Sequence, residues 1–257
     1  MEHKNFLQNE FLNLCEKYKN EQKERDSIGL LKEKTLHAVL KDFVCMDKTC
    51  QEIKIGRYVA DVFKDEHITE IQTNHLFTLH KKLQYFLSLY KVTVVYPISQ
   101  TKWIYWADPE TGLLEKPHKS TRQGTFQSAL AQLAGLSDYL GNPNLEIKIM
   151  LLETEEYRVR DGFGKNNTRR ATKTDIFPVR LIDTMTVTSI ADLYALLPLN
   201  LPSEFTVPQL GKAIKLTGRN LYWAKGLLLE KGIIRETIKK GRAMNYEIVS
   251  LKEVTGV

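Results

Sequence analysis

The stretch Asp61-Val62-Phe63-Lys64-Asp65-Glu66-His67-Ile68-Thr69-Glu70 decides how this chain is read. Leading into it, Ile53, Ile55, Val59 and Phe63 are spaced among polar residues with the period of a half-buried strand. A second strand is expected at His67–Thr73. A hairpin centred between Asp65 and Glu66 sets Lys64 opposite His67, Phe63 opposite Ile68, and Asp61 opposite Glu70. The side chains of Asp61 and Glu70 then leave one face of the sheet, roughly 5 Å apart at Cβ. Like charges placed directly opposite each other destabilise a sheet, so a bound cation is a physical reason for the pair. Gln72 lies two residues beyond Glu70 and shares its face. A solvated hairpin whose carboxylates pair with Lys or Arg is the simpler alternative. The apolar Val59, Phe63 and Ile68 on the same face count against it.

Working outward, Gly29–Phe43 carries Leu36, Val39, Leu40 and Phe43 at helical spacing. Glu33 sits on or beside that apolar stripe, where a glutamate needs a partner. His37, one turn on, reads as a residue supporting a neighbour rather than as a base. Downstream, Leu76–Leu89 returns to helical spacing, with His75 and His80 on its surface. Lys91–Ile98 is a continuous apolar run, as expected of a strand buried on both faces. Lys102–Trp106 and Leu113–Pro117 flank a turn sequence, Asp108-Pro109-Glu110-Thr111-Gly112, and predict a hairpin. Phe126–Leu140 is expected to be helical and Glu146–Glu153 a strand, while residues 158–180 read as a basic loop. Leu199-Asn200-Leu201-Pro202 marks a boundary. The organisation expected is an N-terminal charged helix (1–27), a large α/β domain (28–199) and a small C-terminal domain (200–257).

The chain has 257 residues, 42% hydrophobic and 26% charged, with a formal net charge of +6. That surplus suits a polyanionic partner. No apolar run approaches the ~20 residues of a membrane span, so no membrane partner is expected. The opening MEHKNFLQNEFLNL is an amphipathic polar helix and lacks the apolar core of a signal peptide. Three cysteines (Cys15, Cys45 and Cys50) argue against a disulfide framework and for a cytoplasmic location; their spacing does not predict a zinc site.

A helix with an inward Glu, a strand with Asp, a strand reading Glu-x-Gln, then a helix and a strand, resembles the PD-(D/E)xK nuclease superfamily over about Gly29–Ile98. The resemblance implies a restriction-endonuclease-like mixed sheet flanked by helices. It also implies a divalent-metal site of Asp61, Glu70 and the Ile71 carbonyl, with Glu33 assisting, that hydrolyses phosphodiester bonds. Such hard oxygen ligands prefer Mg²⁺ or Mn²⁺. The family's usual lysine is Gln72 here. Gln72 can hold a water or a phosphate oxygen but carries no charge. Lys54, Lys81 or Lys82 could supply the displaced positive charge.

The C-terminal segment has its own pattern. Thr206 can cap a helix with Pro208 in its first turn. Leu216-Thr217-Gly218-Arg219 is a turn, and Asn220–Lys231 is a second helix with Leu221, Ala224, Leu227 and Leu228 inward. Two strands, Ile233–Thr237 and Asn245–Val249, flank a basic tip. This resembles a winged helix-turn-helix domain. Residues 203–248 hold nine basic residues against four acidic ones. The resemblance implies that Arg219, Asn220, Tyr222, Trp223 and Lys225 meet a DNA groove, and that Lys239, Lys240 and Arg242 meet phosphates. Tyr222-Trp223 as a protein-binding patch is the alternative. Arg169 and Arg170, in the basic tract, could clamp a nucleic acid backbone.

The functional expectation is therefore a DNA-binding, metal-dependent endonuclease of restriction, defence or repair type. The competing expectation is a catalytically inactive nuclease fold that binds DNA as a transcriptional regulator, with Gln72 as its motive. RNA is an alternative substrate. A nuclease that cuts both strands often works as a homodimer, though no dimer interface is legible in the sequence.

Overall fold

The computed structural model describes residues 2–24, 34–108, 110–160, 172–198, 201–238, 243–251 and 253. Helix α1 (Glu2–Glu24) is followed by α2 (Thr35–Val44). α2 buries Leu36, Val39 and Leu40, as their spacing predicts. Its start is tied down by Asp175, which accepts bonds from both the backbone N–H and the hydroxyl of Thr35. The preceding Lys34 is extended, so the described helix begins later than the sequence suggests. Glu33 lies outside the described residues.

Strands β1 (Gln51–Ile55) and β2 (Tyr58–Lys64) pair antiparallel, with Ile53 opposite Ala60. The sequence reading ran these together as one strand. The turn it missed is Gly56-Arg57, where Gly56 takes a left-handed φ of 58°. Strand β3 (His67–Ile71) follows after Asp65 and Glu66, whose φ values are 51° and 56°. Two successive left-handed residues are what a type I′ hairpin turn requires, so the turn falls where the sequence puts it. A 3-10 turn at Leu76–Leu79 leads into α3 (His80–Phe86). Strand β4 (Lys91–Ala107) then runs parallel to β3, with Glu70 beside Val94. Its 17 residues join two segments expected as separate strands. β5 (His118–Lys119) folds back on β4, and Ala107 bridges Leu114, so the hairpin expected around Asp108–Gly112 forms.

The segment Phe126–Tyr139 is a broken helix, mostly 3-10, with one α-helical turn as α4 (Leu130–Leu133). β6 (Leu145–Val159) and β7 (Thr172–Val187) complete the strands of the main sheet. β7 corrects the expectation of a loop for residues 172–180; residues 161–171 of that stretch lie outside the described residues. Pro178 lies within β7, and β7 is the last strand of the sheet, the one position where a residue without an N–H is tolerated. The sheet order is β1-β2-β3-β4-β6-β7, with β5 pairing β4. The chain is thus an α/β protein with a large mixed sheet flanked by helices. Among the described residues, no helix is long and apolar enough to cross a membrane.

The chain divides into two compact units. One comprises Met1–Lys64, Tyr96–Gly124 and Met150–Thr184; the other comprises Asp65–Val95, Thr125–Ile149 and Met185–Val257. In the first, Phe11 of α1 meets Phe43 of α2 edge to face at 5.0 Å. Cys15 is buried there, and burial pushes its thiol up to about 12. All three cysteines are free thiols. In the second unit Leu83 and Phe86 of α3 are fully buried, along with Ile68, Leu130 and Phe205.

The second unit also holds β8 (Glu204–Thr206), α5 (Val207–Ile214), α6 (Gly218–Glu230), β9 (Ile234–Glu236) and β10 (Asn245–Ile248). The three strands form a small sheet in the order β8-β10-β9. Thr206 and Gln209 make a capping box at the start of α5, with Pro208 in the first turn. Lys215 ends α5 in a left-handed conformation. Gly211 lets α5 meet the following turn and α6 at close range. A Cβ there would lie 2.6 Å from Leu221 Cδ2 and 2.8 Å from the Leu216 carbonyl oxygen. Leu221 can yield, but a backbone carbonyl cannot. Gly211→Ala gains up to ~1 kcal/mol of helix propensity and incurs ~1–3 kcal/mol of overpacking. The expected result is a lower urea midpoint for the variant; an unchanged or higher midpoint would show that the contact relaxes freely.

Candidate functional site

The described residues of the expected metal site fall on β2, on β3 and on the turn after it. In the first unit Asp61 lies mid-strand on β2, half-buried. His37, one turn into α2, brings Nε2 to 3.4 Å from Asp61 Oδ2. This contact joins α2 to β2 within the first unit.

In the second unit Glu70 is the penultimate residue of β3 and is 1% exposed. Its partner is Lys82 of α3, whose Nζ lies 2.5 Å from Glu70 Oε2. Lys82 Nζ also sits 5.7 Å from the Phe86 ring centroid. Removing two charges from water is costly, and close pairing is what makes it tolerable. Of Lys54, Lys81 and Lys82, Lys82 is the one this contact brings to Glu70. α3 crosses from β3 to the parallel β4, and that crossover carries Lys82 back over β3. Ile71, 3% exposed, ends β3. Gln72 is already committed: its Nε2 donates to the His75 carbonyl at 3.1 Å and to Thr78 Oγ1 at 3.0 Å. Its backbone N–H donates to the Val95 carbonyl at 2.9 Å. Those bonds hold the turn after β3.

β2 and β3 are neighbours in the sheet. Among the described residues no group of three or more His, Cys, Asp or Glu side chains converges as a metal centre. Within the second unit the Glu70 carboxylate and the Ile71 carbonyl are hard oxygen donors of the kind Mg²⁺ takes, with water and substrate phosphate completing its shell.

On α6, Leu221, Ala224, Leu227 and Leu228 are buried as their spacing predicts. Arg219 and Asn220 are exposed, Tyr222 and Trp223 are 61% and 41% exposed, and Lys225 is half-buried. Arg219 packs against the Trp223 ring at 6.0 Å, and Lys225 Nζ lies 5.9 Å from Tyr222 and 5.6 Å from Tyr246. The far end of α6 is fastened to the broken helix, because the Ser137 hydroxyl donates to Glu230. Lys239, Lys240 and Arg242, like Arg169 and Arg170, lie outside the described residues. Two members of the basic tract are engaged within the protein. Arg158 Nε donates to Glu156 at 2.6 Å, and Arg160 meets Glu115 at 2.8 Å. Glu156 is buried, which would push its carboxyl up, but bonds from Lys102 and Arg158 hold it below the usual range.

The fold and these clusters define an α/β protein with a buried Glu–Lys pair at the heart of a mixed sheet. Residues 34–188 match the family model described as a domain of unknown function, DUF8091, and the chain belongs to that family. It is 27% identical over 221 residues to an uncharacterized protein of Treponema pallidum (strain Nichols), covering 86% of this chain and 87% of that one. No solved structure matches it.

Proposed function

We propose that this protein is a DNA-binding, Mg²⁺- or Mn²⁺-dependent endonuclease. Its restriction-endonuclease-like core, residues 28–199, is delivered to DNA by a C-terminal winged helix-turn-helix, residues 200–257. The observation that carries the reading is the buried Glu70–Lys82 pair. It supplies, from the crossover helix, the charge that the nuclease motif usually carries two residues after the acid. The order α2, β1, β2, β3, α3, β4, with β3 and β4 parallel, supports the core. The order β8, α5, α6, β9, β10, with β10 central in its sheet, supports the winged helix.

Asp61, Glu70 and the Ile71 carbonyl would hold the ion, with Glu33 assisting. When bound, it orients water and stabilises charge on the phosphate. His37 fixes the Asp61 carboxylate. Lys82 provides a fixed positive charge beside Glu70. Arg219, Asn220, Tyr222 and Lys225 present α6 to nucleic acid; Lys239, Lys240 and Arg242, and Arg169 and Arg170, would neutralise phosphates.

A second reading, a catalytically inactive nuclease fold that binds DNA as a regulator, is favoured by one observation. Gln72 spends its amide N–H groups on the turn after β3.

The test is binding and cleavage of plasmid, single-stranded DNA and RNA with Mg²⁺ or Mn²⁺. Arg219→Ala and Lys225→Ala are each expected to flatten the slope of log K against log salt by about 1. Binding without cleavage selects the regulator. No binding to any of them at low salt sinks both readings.

A further inference from the structure

A cavity of about 550 Å³ opens in the second unit beside the first turns of α6. Its walls are His75 and Phe77, then Gln132 and Gly135, then Arg219 and Trp223. We propose that it receives one unpaired nucleotide of a single-stranded or locally opened nucleic acid, its base stacking on Trp223 and Phe77 and its phosphate held by Arg219. The inference rests on the nucleic-acid-binding reading and gives it a substrate class.

Three observations carry it. The first is aromatic surface left to water. Phe77 is 58% exposed and Trp223 41%, and both line the same cavity. Every base offers a π-face, so such surfaces bind bases with little regard for sequence. The second is charge. The Arg219 guanidinium carbon lies 6.0 Å from the Trp223 ring, placing a cation that cannot be deprotonated beside the stacking surface. An apolar ligand has no use for the cation, and a simple anion has no use for two rings. A nucleotide uses both. Gln132, with an amide donor and acceptor, suits the hydrogen-bonding edge of a base.

The third observation is that the walls are held in place without a ligand. A Cβ on Gly135 would lie 2.8 Å from Phe77 Cβ and 2.9 Å from Phe77 N, so the turn bearing Phe77 sits directly on the broken helix. The Leu76 N–H donates to Gln132 Oε1 at 3.4 Å. Gln72 ties the His75 carbonyl and Thr78 to the end of β3. The His75 and Phe77 rings lie 5.6 Å apart, tilted by 34°. The volume is within the ~300–1,000 Å³ of small-molecule sites. Bases of an intact duplex are stacked and cannot enter, so the nucleotide must come from a single strand or be extruded. On this assignment Arg219 and Trp223 serve a cavity of their own unit.

The test is fluorescence anisotropy with a labelled single-stranded oligonucleotide and with its duplex, as DNA and as RNA, using the whole chain. Trp223→Ala and Phe77→Ala are each expected to weaken single-strand binding about 10-fold, the scale of losing one base–aromatic stack. Duplex affinity should barely change in Phe77→Ala, and Trp223→Phe should recover most of the loss. Trp223 is exposed, so its truncation leaves the core intact, and circular dichroism checks that each variant is folded. An oligonucleotide with 2-aminopurine should lose fluorescence on binding wild type and not on binding Trp223→Ala. Wild-type affinity in both alanine variants overturns the cavity while leaving nucleic-acid binding standing. Failure of wild type to bind either form at low salt overturns the underlying reading instead. If dAMP alone occupies the cavity as tightly as the strand does, the strand is overturned as the source, and the cavity belongs to a free nucleotide.

Discussion

Asp61→Asn and Glu70→Gln are expected to lower Mg²⁺-dependent strand cleavage by at least ~10²–10³-fold, the scale of removing one preorganised charge-stabilising group. Both replacements keep side-chain size and polarity, and because Glu70→Gln also takes the carboxylate from Lys82, circular dichroism and a urea midpoint separate lost chemistry from lost stability. Glu70→Ala is the poorer probe, because it leaves Lys82 facing a hole at a position where Glu70 is 1% exposed. The measurement is the initial rate of plasmid nicking, with DNA binding followed in parallel. Cleavage that survives both variants at the wild-type rate removes Asp61 and Glu70 from the mechanism. His37→Ala should have a smaller effect, since its part is to hold Asp61 in position.

Lys82→Met is expected to destabilise the protein by about 3–5 kcal/mol, the usual result of removing one member of a buried ion pair. The side chains of Lys82 and Glu70 are 20% and 2% exposed, so water cannot readily replace the lost partner. The sign of the pH dependence follows. In the variant the buried Glu70 carboxylate loses the Lys82 cation, and burial then disfavours its charged form. Stability from protonating Glu70 is then present at low pH and lost as pH rises. The deficit relative to wild type should therefore be smaller near about pH 5 than near about pH 8. Urea denaturation at the two pH values measures it. Glu70→Leu combined with Lys82→Met should recover much of the loss, because an apolar pair needs no compensation. A deficit that is equal at both pH values would show that Glu70 does not depend on Lys82 for its charge.

Much of the framework that carries the candidate residues was legible because its cues are local. The Asp65-Glu66 turn, the strands on either side and the acids at Asp61 and Glu70 follow from alternation over ten residues. The cap of α5 follows from Thr206, Pro208 and Gln209 within one turn. The inward face of α6 follows from the spacing of Leu221, Ala224, Leu227 and Leu228. Other features were illegible for stated reasons. Gly56-Arg57 is too short a punctuation to separate β1 from β2 by periodicity. β7 hides behind Pro178, which a central strand would exclude and an edge strand admits.

The sequence by itself determined α2, α3, α5 and α6, the hairpin turn, the presence of two acids on neighbouring strands and the basic character of the C-terminal segment. Hydrophobic period, capping chemistry and charge count all act within a few residues of one another. The tertiary structure decided which partners those residues meet. Three lysines were equivalent as letters, and only the docking of α3 over β3 brings Lys82 to Glu70. Gln72 had the right position for chemistry, and only the fold of the following turn shows its amide bonded to His75 and Thr78. Phe77 and Trp223 are far apart along the chain, and packing alone places them around one cavity. Such contacts depend on how elements stack, and stacking is set by the summed fit of many buried side chains that no short pattern encodes.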